Sequence, residues 1–375
     1  MPTRPLTIRP MALAAIPLLL AGTPACGAAT ATAVSAPQAR CLPPAVSLRL
    51  PGAVYGVASA PGGSAWAVGW TGANDLVARW DGKAWKRVPA PGPEHRGASI
   101  ALNGVTVASA RSAWAVGFDN GSNALILHWD GTAWRQVPSP HLRISLLSSV
   151  AAVTPANAWA VGETGAGPAT LTLHWDGRAW KRIPSPDPAG RSALAGVAAT
   201  SSHNAWAVGG MGGYPAPRPA ATLILHWNGD AWSRVPSPAP PGNSTLTGVT
   251  AISPGDAWAV GFTGTIEDPH PRALIVHWNG HAWTRVPAPA IPGGGTLRAV
   301  SAYSAGDVWA VGQTGRITSS KPGTLTLHWN GRKWIRLPSS AGLLDAVAAT
   351  SSRTAWAAGI SAPDRTSELH CVTQG

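Results

Sequence analysis

One five-residue string, Ala-Trp-Ala-Val-Gly, recurs so regularly that it decides what this chain can fold into. Its Trp stands at Trp66, Trp114, Trp159, Trp206 and Trp258, and with small changes at Trp309 (Val-Trp-Ala-Val-Gly) and Trp356 (Ala-Trp-Ala-Ala-Gly). A second signature, His-Trp-Asp/Asn-Gly-x-x-Trp, follows in each of the first six units. Its first Trp is Trp129, Trp175, Trp227, Trp278 or Trp329, and Trp80 with Arg79 in place of His. A unit of roughly fifty residues repeated along a chain is the mark of a propeller or solenoid.

Each unit divides into four short strands. An inner strand reads Leu-x-Gly-Val-x-Ala, as in Leu246 to Ala251, and the Ala-Trp-Ala-Val-Gly strand follows. A third, apolar strand ends in His-Trp, and a fourth runs from the second Trp to a Pro, as in Ala231 to Pro236. The Asp-Gly or Asn-Gly pair between the last two supplies the positive φ of a tight hairpin. In Leu125-Ile126-Leu127-His128-Trp129 apolar residues occupy both strand faces, as expected of a sheet packed between two others. With 45% hydrophobic and only 12% charged residues, the high Gly and Pro content marks turns rather than disorder. The expected fold is all-β: a seven-bladed β-propeller of four-stranded antiparallel blades, over 41–375.

The layout resembles the kelch repeat: a Gly after strand two, an aromatic residue then Asp/Asn at the end of strand three, Trp at the start of strand four. Kelch-type and galactose-oxidase-like propellers share it, and the resemblance covers about residues 46 to 375. It departs in having one Gly where kelch repeats carry a pair, and Trp where they carry Tyr. With only Tyr55, Tyr214 and Tyr303 present, the Tyr–Cys copper site of galactose oxidase has no visible counterpart, and no cofactor is expected.

The last unit lacks a fourth strand. Ser47-Leu48-Arg49-Leu50-Pro51 has the shape of one, so residues 46–51 are expected to complete that blade and close the ring, leaving no open edge. Cys371 is read as replacing the Trp of His-Trp. Counting back from Ser47 as the equivalent of Trp134 places Cys41 beside it. A Cys41–Cys371 disulfide would close a loop of most of the chain, for roughly 4–5 kcal/mol in the loop-entropy account.

Residues 1–26 carry the marks of an export signal: Arg4 and Arg9, then the apolar run Met11 to Ala21, too short to span a bilayer. Thr23-Pro24-Ala25-Cys26 resembles a lipoprotein cleavage box with two departures, so either lipidation of Cys26 or plain cleavage fits. Residues 27–40 read as a flexible tether. The expected location is outside the cell, secreted or lipid-anchored to the outer face of the membrane, as a monomer.

The net charge of +12 does not point to nucleic acid. Arg49, Arg87, Arg182, Arg234, Arg285 and Arg336, with Lys86, Arg135 and Lys181, recur on the outer strands, where basic residues block edge pairing. They are spread round the rim rather than gathered in a stripe. His128, His174, His226, His277, His328 and His370 recur at one site per blade and cannot converge on a metal. Asp81, Asp130 and Asp176 read as turn residues. No nucleophile elbow, zinc-protease motif, phosphate loop or calcium loop is present, so no catalytic residue is expected.

Function is expected where the repeats differ. The loops between strands two and three and between blades share one face. They carry Trp70, Glu94, His95, Phe118, Asp119, His141, Arg143, Tyr214, Arg218, Glu267, Asp268 and His270. The inner-strand position that faces the axis is Tyr55, Asn103, Ser148, Ala195, Thr247, Arg298 and Asp345 in turn, and Tyr55, Arg298 and Asp345 form a second candidate cluster. The leading expectation is a non-enzymatic binder of a protein or glycan. The alternative is a propeller hydrolase or lyase acting on extracellular polysaccharide.

Overall fold

The computed structural model describes residues 52–373, except 61–62, 72–74, 92–99, 120–122, 141, 143, 166–168, 189–190, 213–220, 241, 266, 353 and 361–366. Blade one sets the pattern: inner strand Ala53–Ser59, second strand Ala65–Trp70, third strand Asp75–Trp80 and outer strand Trp85–Arg87, antiparallel and paired in that order. Five more four-stranded blades follow, with inner strands beginning at Ile100, Ser145, Ser192, Ser244 and Gly295. The inner strands pack side by side in chain order.

The expectation of seven four-stranded blades is corrected here: six blades have four strands. Among the described residues the remaining sheet, Leu343–Ser351, Thr354–Ile360 and Ser367–Thr373, has three. Its third strand is not followed by the Asp/Asn-Gly hairpin that launches every outer strand. Residues 41–51, including Cys41 and the strand expected to complete this sheet, lie outside the described residues, as do Cys26 and the whole signal and tether. The three-stranded sheet nevertheless packs against blade one, where the Ser59 hydroxyl donates to the Ala349 carbonyl at 2.9 Å.

A second correction concerns register. In the blades the strand-two Trp pairs with the repeat His, as Trp206 does with His226. In the three-stranded sheet Trp356 pairs with Cys371, and His370 pairs with Ala357. Cys371 therefore holds the His position, not the Trp position, and His370 is not the sixth repeat His.

Each inner strand carries a β-bulge one residue after its conserved apolar position. The pairing skips Tyr55, Asn103, Ser148, Ala195, Thr247, Arg298 and Asp345, in turn. The extra residue explains why buried Leu246 and Val249, three apart, face one core, since an unbulged strand alternates with period two. The bulge also explains the Gly of Ala-Trp-Ala-Val-Gly. A Cβ on Gly117 would stand 1.9 Å from the Ala101 carbonyl oxygen, and one on Gly209 at 1.9 Å from that of Ala193.

The two signatures are halves of one contact between blades. Trp206 of blade four packs on Trp278 and Trp283 of blade five, with centroids 4.8 and 5.1 Å away, the second edge to face at 88°. Trp66, Trp114, Trp159 and Trp258 do the same one blade on, and Trp356 meets Trp80 and Trp85 across the junction with blade one. The repeat His stacks on the strand-two Trp of its own blade at 4.1–4.4 Å between centroids. Its Nε2 lies 2.8 Å from Asn204 Oδ1 at His226 and donates to Asp256 and Asp307 at His277 and His328. In blade one Arg79 takes the place of His, its guanidinium 5.3 Å over Trp66. Burial lowers the pKa of His128, His174 and His226, so these rings favour the neutral form that stacking uses.

The hairpins revise the reading of the basic rim. Asp81, Asp130 and Asp176 each accept two turn N–H groups, while the following Gly sits at φ between 89° and 96°. Their other oxygens pair with Lys86, Arg135 and Lys181 at 2.6–2.7 Å. These hydrogen bonds hold all three carboxyls far below the usual carboxylate range. Where the turn residue is Asn228, Asn279 or Asn330, the paired outer-strand residue is Ser233, Thr284 or Ile335, with no charge to neutralise. Three of the cations expected to protect the outer edge therefore also serve as turn counter-ions.

Candidate functional site

Antiparallel order puts the inner-to-second and third-to-outer turns at one end of each blade. The second-to-third loops and blade-to-blade links lie at the other. On that variable end, blade five carries a concavity between its own loop and the link that follows it. Its second strand, Asp256–Thr263, leads into a loop that returns as the third strand Arg272–Trp278. The loop is held by its own turn chemistry. Gly264, at φ +116°, donates to the Asn243 carbonyl, and Asp268 Oδ1 accepts the His270 N–H at 2.8 Å. Two neighbours fix its position: the Gly295 N–H donates to the Pro271 carbonyl at 2.7 Å, and Arg316 of blade six donates to the Glu267 carbonyl at 3.3 Å.

Two cavities adjoin there. One of about 440 Å³ has an apolar wall of Pro271, Pro287, Pro289 and Ile291. The other, about 500 Å³, has a polar wall of Asn243, Thr265, Glu267 and Asp268. Arg272 and Arg285 line both. Both arginines are exposed, and among the described residues neither has an ion-pair partner. A guanidinium fork offers several donors to a carboxylate or similar anion, so this is a place where a negatively charged group can be held.

Of the residues expected on the variable face, Glu267, Asp268 and His270 come together in this loop. Trp70, Phe118 and Asp119 end the second strands of blades one and two, half-buried and apart from it. His95, His141, Arg143, Tyr214 and Arg218, with Glu94, lie outside the described residues. Sequence reasoning missed Arg272, and it read Arg285 as edge protection. The signal was present: the third strand begins with Asp75, Asn123, Ala169, Ala221, Arg272 and Gly323, so this is a position where the repeats disagree.

The axial candidates are the bulge residues. Asn103 and Thr247 donate to carbonyls of the next inner strand, Leu147 at 2.8 Å and Leu297 at 2.9 Å. Arg298 Nε lies 3.5 Å from Asp345 Oδ1, and its terminal nitrogen donates to Gln313, whose fully buried amide donates to the Arg316 carbonyl. Burial raises the Asp345 pKa against the pull of Arg298, and burial with the nearby Asp345 charge raises that of Tyr55. Glu163, at the end of the second strand of blade three, is also raised by burial; it was not among the expected site residues. Among the described residues no group of three His, Cys, Asp or Glu could hold a metal.

This pair makes a pH prediction. Asp345 has a folded pKa above its unfolded value, so its contribution to stability falls as pH rises through that interval. Arg298 limits the loss. Arg298→Leu should therefore cost on the order of 2 kcal/mol at pH 7 and much less in acid, once Asp345 is protonated. Urea unfolding at pH 7 and in acid reads this; an equal loss at both would show that the pair carries no electrostatic weight.

No protein-family model matches the chain, and no curated protein matches it. Solved structures are similar in fold. YCF48 bound to D1 peptide is 15% identical, with 89% of this chain and 96% of that one covered and a TM-score of 0.57. YCF48 from Cyanidioschyzon merolae gives 16%, 88%, 98% and 0.56, and virginiamycin B lyase from Staphylococcus aureus 15%, 88%, 99% and 0.58. At these identities the likeness is one of architecture, and this chain has the β-propeller fold.

Proposed function

We propose that this protein is an exported, non-enzymatic β-propeller that binds a protein or glycan through its variable face, with the blade-five concavity at the centre of the site. The observation that carries the reading is the pair of guanidinium groups shared by two adjoining cavities and without an ion-pair partner among the described residues. The repeated histidines and turn carboxylates are already used: the histidines stack on Trp, and the Asp residues cap hairpins. The fold does not choose between classes, since a peptide complex and a lyase both occur among similar propellers. The alternative reading, a polysaccharide hydrolase or lyase, draws on Glu267, Asp268 and His270 sharing one loop, although Asp268 and His270 are joined there by a turn hydrogen bond. In this proposal the repeat is kelch-like.

Residues 1–26 direct export in this proposal, by cleavage or by lipidation at Cys26, and 27–40 tether a monomeric domain outside the cell. The purified domain is expected to retain ligands from a combined glycan array and protein pull-down. Arg272→Ala with Arg285→Ala should remove that retention. Cleavage of an arrayed glycan would replace the proposal by the enzyme reading. A Cys41–Cys371 disulfide belongs to the same proposal: non-reducing peptide mass spectrometry is expected to find the two joined, and two free thiols would exclude the clasp.

A further inference from the structure

Resting on that reading of the blade-five site, we infer that its ligand is an extended peptide in which an acidic residue lies between an apolar residue and a basic one. The order follows from the walls. The shared guanidinium pair of Arg272 and Arg285 takes a carboxylate, which bidentate hydrogen bonding favours over a neutral group. On one side the prolines and half-buried Ile291 offer an apolar shelf for an aliphatic side chain. On the other, Glu267 and Asp268 line the cavity and favour an ammonium or guanidinium group. A polyanion fails this test of charge: one acidic group meets the arginines, and the next meets two carboxylates. Like charges across an interface are a source of specificity against wrong partners. A uniformly acidic glycan is therefore disfavoured where a mixed-charge peptide is not. The cavities are of the size that ligands occupy, and the loop is tied to the following linker and to blade six, so the walls are in place before binding.

The test uses the full-length mature protein and fluorescein-labelled hexapeptides with Leu-Glu-Lys or Lys-Glu-Leu between glycines, read by fluorescence polarisation, with hexagalacturonate as the glycan competitor. One of the two peptide orders is expected to bind. Replacing its Glu by Gln, or making Arg272→Ala or Arg285→Ala, should weaken binding about tenfold or more. Glu267→Gln with Asp268→Asn should raise the affinity of a Leu-Glu-Glu control relative to Leu-Glu-Lys. Tighter arginine-dependent binding of hexagalacturonate than of either peptide would overturn the inference while leaving the face as a binding site. Absence of binding by both peptides, or binding unaffected by the arginine variants, would overturn it too. The broader reading fails separately, if the array and pull-down ligands are retained unchanged by the arginine variants or if an arrayed glycan is cleaved.

Discussion

Gly117→Ala is expected to leave little or no folded protein, an effect far beyond that of an ordinary Gly-to-Ala change in a strand. The second strand of blade two pairs with an inner strand whose bulge turns the Ala101 carbonyl toward Gly117. A Cβ there would stand 1.9 Å from that oxygen and 2.9 Å from Leu102 Cα. Neither atom belongs to a flexible side chain, so relief requires the inner strand to move. That strand is packed against those of both neighbouring blades, so displacement spreads. Losses above about 4–5 kcal/mol mark such a forced clash in a packed core. The control is Gly82→Ala in the first hairpin, where φ is +94° and no atom lies within 4 Å of the added carbon. Only the cost of a left-handed residue remains there, about 1–2 kcal/mol. Soluble yield and far-ultraviolet circular dichroism of the two variants decide the matter. A Gly117→Ala protein as stable as Gly82→Ala would mean that the bulge is not what demands glycine.

That bulge shows how much of the fold was open to reading from the chain. Leu102 and Val105, or Leu246 and Val249, are three apart on strands whose faces alternate every two. A uniform pairing cannot bury both in one core, so the extra residue was written in the spacing. Hairpins and strand ends were legible because Asp-Gly, Asn-Gly and Pro have local conformational meanings that need no context. The register at Cys371 was not legible: it depends on how far Ser367–Thr373 slides along Thr354–Ile360, and the usual turn that would fix it is missing. The role of Lys86, Arg135 and Lys181 was hidden for another reason. Each answers to a single turn carboxylate, and only pairing Asp turns with cations and Asn turns with neutral residues reveals it. Arg272 stands at a strand start that varies from blade to blade, which was a signal, but only the fold sets it beside Arg285 of the same blade. Sites of this kind arise from loops meeting in space, which sequence periodicity does not encode.

The Trp contact is the remaining large lever on stability. Trp206→Ala is expected to destabilise the domain by about 3–5 kcal/mol, the range for deleting a buried Trp and leaving a cavity its surroundings only partly fill. Trp206 is 1% exposed, so almost all of its surface is packed. Its loss would strip Trp278 and Trp283 of blade five and His226 of its own blade of one shared partner. The His226 link to Asn204 would remain, while the ring that it stacks on would be gone. Trp206→Phe keeps a ring in the space and should cost less, by roughly the 0.5–1.5 kcal/mol of a well-oriented aromatic pair plus the unfilled volume. Guanidinium unfolding of both variants, followed by far-ultraviolet circular dichroism so that the removed fluorophore does not bias the signal, gives the two losses. A Trp206→Ala loss below about 1 kcal/mol, the size of an ordinary surface change, would show that the blades hold together by their inner strands alone. A loss in the expected range assigns the repeat its physical purpose: each Ala-Trp-Ala-Val-Gly strand presents one indole to the two Trp of the next blade, and conserving that fit conserves the motif.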